Sequence, residues 1–173
     1  MKDLEGDTML MRAEIEFEGD YDLENLGKIQ IEPELKKPSQ DNLKEVRVVE
    51  KLSPNSDILY TEMSVPFPYE NRDFLHHRIW VNNKKNPDLV EKYDLWKKDT
   101  EYFVIVSMSI KRDDVPPIKG KTRADTKVMC HIYERDPENP KRFKFTMINC
   151  TDSGMKVPSL MRGMMAKKIG REA

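Results

Sequence analysis

The chain has 173 residues, enough for one hydrophobic core, and is expected to form a single domain over residues 1–173. Its 30 basic and 31 acidic side chains nearly cancel, which excludes the basic excess of a nucleic-acid binder. No apolar run approaches bilayer-spanning length, so any membrane contact is expected to be peripheral.

Cys130 and Cys150 offer neither a disulfide framework nor a metal-ligand spacing and read as free, buried thiols. The polar start MKDLEGDT lacks the apolar core of a secretory signal, and a cytoplasmic location is expected.

Residues 9–18 (MLMRAEIEFE) alternate apolar and charged, with Met11, Ala13, Ile15 and Phe17 on one face, which predicts a half-buried strand. Asp20 can cap a short helix with Leu23, Leu26 and Ile29 as its stripe, weakened by Gly27 and ended by Pro33. Residues 33–43 have loop composition, and 45–52 (EVRVVEKL) return to strand alternation. The segments 57–65 (DILYTEMSV) and 73–81 (DFLHHRIWV) predict a hairpin around the prolines Pro66 and Pro68. A turn centred on residues 68–72 sets Glu62 opposite Arg78.

A charged excursion follows, with Leu89, Val90, Tyr93 and Trp96 at helical spacing, and then a buried strand at 102–110. Pro116 and Pro117 open a loop at 112–120, and long strands are expected at 121–134 and 142–152. Residues 157–173 (VPSLMRGMMAKKIGREA) predict an amphipathic helix with Leu160, Met161, Met164, Met165 and Ile169 on one side.

Five separated elements match one pattern in order: the turn and RDF at 66–74, FVIVSMSI at 103–110, DVPPIKG at 114–120, TRAD at 122–125 and DSGMKVP at 152–158. Together they resemble the START domains, a lipid-binding family, with the phosphatidylcholine-transfer branch nearest in its turn and final loop. The resemblance implies an α+β helix-grip fold. A curved antiparallel β-sheet wraps a C-terminal α-helix and encloses a tunnel for one lipid. Relative to that pattern the N-terminal helix and first strand are shortened.

What the resemblance implies for the site is specific. Glu62 and Arg78 stand where the family has an acid and an arginine facing the tunnel, and His76, Tyr60 and Phe74 join them as ligand-binding candidates. Met161, Met164 and Met165 suit an adaptable lining, because an unbranched thioether repacks around an acyl chain or sterol. Met155, Val115 and Leu160 are the expected membrane-contact or gate residues. Thr61 and Phe74 occupy the positions where phosphatidylcholine carriers cage choline; threonine supplies no π face. Met155 stands where tryptophan is usual.

The implied function is non-enzymatic lipid transfer or sensing by a monomer with transient membrane association and no cofactor, phospholipid being preferred over sterol. Two other readings stand beside it. One is a cyclase-like enzyme using Glu62, His76 and Arg78; the other is a ligand-free interaction module whose tunnel is filled by Trp80, Phe103, Phe143 and Phe145.

Overall fold

The structure, a computed structural model, describes residues 8, 10–95 and 99–154. The expected C-terminal helix lies outside the described residues, as do Met155, Leu160, Met161, Met164, Met165 and Trp96.

The described chain builds one eight-stranded sheet. Its strands are β1 (Leu10–Glu18), β2 (Leu43–Ser53), β3 (Ser56–Met63), β4 (Asn71–Asn82), β5 (Tyr102–Ser109), β6 (Lys121–Arg123), β7 (Asp125–Arg135) and β8 (Arg142–Asp152). The order across the sheet is β1-β8-β7-β5-β4-β3-β2, with every neighbouring pair antiparallel; β6 lies off this path, parallel to the start of β4.

Helix α1 (Leu23–Ile31) packs on one face, here the α1 face, where Leu23 joins Trp80, Phe103, Ile105, Tyr133 and Phe143 in an apolar cluster. Its N-cap is Asp22, whose carboxylate accepts from the Glu24 and Asn25 amides, whereas the expected cap, Asp20, lies exposed and pairs with Lys141. Gly27 is buried against Phe103, and a Cβ there would sit 2.4 Å from the ring. Glycine is what lets helix and sheet approach.

The sequence predicts a loop after Pro33. Instead Pro33 takes the first position of a one-turn helix, α2 (Pro33–Lys36), where its missing N–H is no loss. A 3-10 turn, Lys37–Ser39, follows.

The opposite face is covered in two places. Val90 of α3 (Pro87–Lys92) packs on Val81, Tyr102, Val104 and Cys130; Val115, from the loop after β5, packs on Ile58, Tyr60 and Leu75. The expected strand at 121–134 is divided at Ala124. Its first part pairs with β4, the Ala124 amide bonds Asp73 O at 2.9 Å, and β7 then crosses to run between β5 and β8.

Candidate functional site

The β3–β4 hairpin forms as expected, with a different register. Residues 64–70 make a long connection whose turn falls at Phe67-Pro68, ahead of the expected centre. Arg78 therefore lies opposite Asp57, five residues before Glu62, and Glu62 lies opposite Asp73. Side chains alternate between faces with period two, so an odd shift moves Glu62 to the face away from Arg78. The expected Glu62–Arg78 pair does not exist.

Arg78 is 2% exposed and Asp57 1%. The guanidinium grips the carboxylate from two nitrogens, Nε to Oδ1 at 2.8 Å and Nη2 to Oδ2 at 2.7 Å. It also donates from Nη1 to Gln30 O and from Nη2 to Ile31 O, each at 3.0 Å. Those carbonyls belong to the last turn of α1, where the helix leaves acceptors unfilled and the dipole favours a cation. Arg78 is thus a clamp joining hairpin to helix, and most of its donors are taken.

The α1 face continues from this pair as a band of buried polar groups. Ser107 lies beside Arg78 on β5, and Ser109 lies beside His76. Ser107, His76 and Thr126 are all buried. The His76 Nε2 lies 2.9 Å from Thr126 Oγ1. Phe74 shares this face, opposite Thr61, with its ring 5.5 Å from His76. His131, on β7, lies in the row of Trp80 and Ile105 with its ring 5.6 Å from Phe145. Burial, with Lys36 and Arg78 adding repulsion, pushes the His76 imidazole down to about 4. Burial and Lys36 take His131 equally to about 4.

Lys36 itself, at the end of α2, is lowered to about 8 by burial and by Arg78, with Asp57 opposing. Its charge is felt by Arg78, Asp57 and both histidines. Asp57, Lys36 and His131 were not among the expected residues. Moving the turn by a few residues at the sequence level would have found Asp57; no sequence signal marked Lys36, which sits in what reads as loop.

On the opposite face Glu62 accepts from Asn71 Nδ2 at 2.8 Å and pairs with Lys121, whose hydrogen bond, working against burial, holds its carboxyl below the usual range. Asp73, fully buried, pairs with Arg123 Nη2 at 2.9 Å. Strand β6 thus delivers Lys121 and Arg123 to the two acids that β3 and β4 set side by side. Tyr60 is here too, under the Arg47 guanidinium at 4.8 Å. Glu62 and Tyr60 cannot meet a molecule held beside Arg78 and His76 without crossing the sheet.

Val115 is 7% exposed in the cluster with Tyr60 and Leu75, which corrects the expectation that it meets a membrane. The loop folds back because Arg123 donates to the carbonyls of Val115 and Pro116. Phe67 in the hairpin turn is instead 96% exposed, with Tyr69 and Ile118 also exposed. A cleft of about 380 Å³ opens on the α1 face where Ile31, Lys51, Trp80 and Phe103 meet. Lys51 covers the Trp80 ring there at 4.3 Å. Among the described residues no helix is long and apolar enough to cross a membrane, and no cluster of His, Cys, Asp and Glu could hold a metal ion.

The family model of the START domain matches residues 39–170. The chain belongs to the START domain family. Its large antiparallel sheet is that of the START-like α+β fold. Human STARD10 superposes with a TM-score of 0.72 at 20% identity, over 98% of this chain and 62% of that one. Human StAR-related lipid transfer protein 5 gives 0.69 at 15%, over 92% and 69%. The lipid transfer and protein localization domain of human StarD13 gives 0.66 at 18%, over 87% and 64%. The chain therefore spans less than two thirds of STARD10 and of the StarD13 domain. Among curated proteins no sequence relative matches.

Proposed function

We propose that this START domain, acting as a single unit over residues 1–173, is a non-enzymatic lipid carrier or sensor that holds one lipid on the α1 face. The observation that carries the reading is the band of buried polar groups around Arg78, His76, Ser107 and Thr126 on a face that is otherwise largely apolar. Such a band gives a headgroup hydrogen-bonding partners while the acyl chains keep apolar surroundings.

Phe74, His76 and Arg78 border the ligand, whereas Glu62 and Tyr60 hold the opposite face together. The resemblance assigns the cover to the segment 157–173, the lining to Met161, Met164 and Met165 and the gate to Met155 and Leu160, all outside the described residues. Phospholipid is preferred over sterol, because the NRDF turn and the DSGMKVP segment resemble the phosphatidylcholine-transfer branch. The protein works as a cytoplasmic monomer that touches membrane transiently, and Phe67, not Val115, is a contact of the described part.

Separation of Glu62 from His76 and Arg78 speaks against the enzyme reading, since its acid, base and anion clamp do not converge. A specific observation favours the ligand-free module as the second reading: Trp80, Phe103 and Phe143 already pack on Leu23. Native mass spectrometry after incubation with mixed-lipid vesicles separates the two. A one-to-one lipid adduct, together with transfer of a fluorescent phospholipid between vesicles, is expected of a carrier. Folded protein without any adduct is expected of the module and would sink the carrier reading.

A further inference from the structure

Side chains of β4, β7 and β8 join on the α1 face in one hydrogen-bonded chain. His76 Nε2 lies 2.9 Å from Thr126 Oγ1, Thr126 Oγ1 lies 3.0 Å from Thr151 Oγ1, and Thr151 Oγ1 donates to Asn149 Oδ1 at 2.6 Å. Its direction is fixed from the far end, because a hydroxyl has a single proton to give. Thr151 spends that proton on the Asn149 amide oxygen, so Thr126 donates to Thr151 and must accept from His76. The proton of the His76 ring therefore sits on Nε2. Burial, above all, lowers the imidazole to about 4. The ring is thus neutral near neutral pH, and its other nitrogen, Nδ1, is an acceptor.

The complementary group stands close by. Ser107, 2% exposed, is the β5 partner of Arg78 and lies diagonally across from His76, whose own partner is Ser109. Diagonal neighbours of this kind stand roughly 7 to 8 Å apart, room for one oxygen between two side chains. Among the described residues no hydrogen bond uses the Ser107 hydroxyl or His76 Nδ1. Arg78, next to both, is committed to Asp57 and to the end of α1.

We propose that the polar end of the bound lipid is a hydroxyl, held between His76 Nδ1 and the Ser107 hydroxyl, and that His76 is the residue that selects it. One hydroxyl oxygen donates to Nδ1 and accepts from Ser107. A phosphodiester oxygen only accepts and a quaternary ammonium does neither, so each leaves Nδ1 desolvated without a partner. Among phospholipids, glycerol and inositol headgroups end in free hydroxyls and fit; choline does not. Diacylglycerol offers the same chemistry from the glycerol backbone.

The assignment rests on the carrier reading, and the test separates the two. The full chain is incubated with vesicles of equimolar phosphatidylglycerol and phosphatidylmethanol, which match in charge and acyl chains and differ in headgroup hydroxyls. Bound lipid is then identified by native mass spectrometry. Wild type is expected to take phosphatidylglycerol about tenfold over phosphatidylmethanol, the ratio that follows from one buried acceptor left unsatisfied. His76→Leu should take the two about equally with its phosphatidylmethanol adduct retained. His76→Gln, whose amide keeps a donor for Thr126 and an acceptor for the ligand, should restore the preference. Ser107→Ala, which spares the hydrogen-bonded chain, should lower the preference severalfold and keeps the test open where His76→Leu does not fold. NMR of the ring nitrogens in lipid-free protein should find His76 as the Nε2–H tautomer.

Equal uptake of the two lipids by wild type, a preference unchanged in the His76→Leu or Ser107→Ala protein, or an Nδ1–H tautomer would overturn the hydroxyl assignment and leave the carrier standing. With diacylglycerol added to the vesicles, a diacylglycerol adduct favoured over phosphatidylglycerol would support the hydroxyl and place it on the glycerol backbone. No adduct of any lipid would overturn both readings.

Discussion

The register of the β3–β4 hairpin decides which acid Arg78 meets, and a pair of double-mutant cycles measures it. Asp57→Asn removes a charge that is 1% exposed and leaves Arg78 buried without a counter-charge, its acceptors reduced to one amide oxygen and the Gln30 and Ile31 carbonyls. Arg78→Gln strands the carboxylate and frees those carbonyls. Breaking a buried pair from one side typically costs about 3 to 5 kcal/mol, because the partner left behind remains desolvated. Much of that loss is common to both single variants, so the double variant should fall short of their sum by about 3 kcal/mol. Glu62→Gln acts on the other face, where Lys121 is partly exposed, and should cost about 1 kcal/mol. Its coupling to Arg78→Gln should stay within about 0.5 kcal/mol, as for independent sites. Equilibrium urea unfolding at pH 7 gives all of these values. A 62/78 coupling equal to or larger than the 57/78 coupling would refute the register and everything built on it.

Four further outcomes follow from named groups. His76 and His131 fall from 6.5 to about 4 on folding, so the unfolded chain protonates first; stability is full above pH 6.5 and declines towards pH 4 by about 1.4 kcal/mol per unit for each histidine. Urea unfolding at pH 7.5 and pH 5 should show a decline smaller by about 4 kcal/mol in the His76→Gln, His131→Gln double variant; an unchanged decline contradicts the burial. Lys36 falls from 10.5 to about 8, which makes its charged form unfavourable below pH 8 and relieves the penalty as pH rises towards 10.5. Lys36→Met should therefore stabilise by about 3 kcal/mol at pH 7 and by less at pH 10, read as a change in thermal midpoint; a destabilised variant refutes the placement. Gly27→Ala gains about 1 kcal/mol of helix propensity but forces Phe103 away, for a net loss of about 1 to 2 kcal/mol in chemical denaturation. Phe67→Asp should slow lipid transfer between vesicles severalfold while leaving fold and lipid adduct intact; an unchanged rate removes Phe67 from the membrane contact.

Much of the fold was legible in the sequence because it rests on local periodicity. Met11, Ala13, Ile15 and Phe17 alternate with charges and form β1 as read, with that set less exposed than its neighbours. The register of β3 against β4 was not legible. Between Met63 and Asn71 the chain carries turn residues at several positions, and moving the centre by about two and a half residues, five in the pairing, leaves the composition unchanged while reversing which side chains of the two strands share a face. Lys36 was hidden for a different reason. Its helix is a single turn, too short for periodicity, and its direction comes from how Pro33 redirects the chain after α1. Val115 looked like an exposed loop residue because the cations that fold the loop back lie on β6, a three-residue strand whose partner is fixed only in three dimensions.

The two faces of the sheet show how one fold separates stability from ligand chemistry. On the opposite face the two acids that β3 and β4 set side by side each meet a cation from β6: Glu62 has Lys121 and Asp73 has Arg123. On the α1 face Asp57 and Arg78 are likewise matched and close the end of α1. His76 and His131 are of another kind, since burial works against the charged form of both. A sheet selected for stability alone would place apolar side chains there. His76 stands beside Phe74 and Thr126, where the headgroup of a bound lipid would offset that cost.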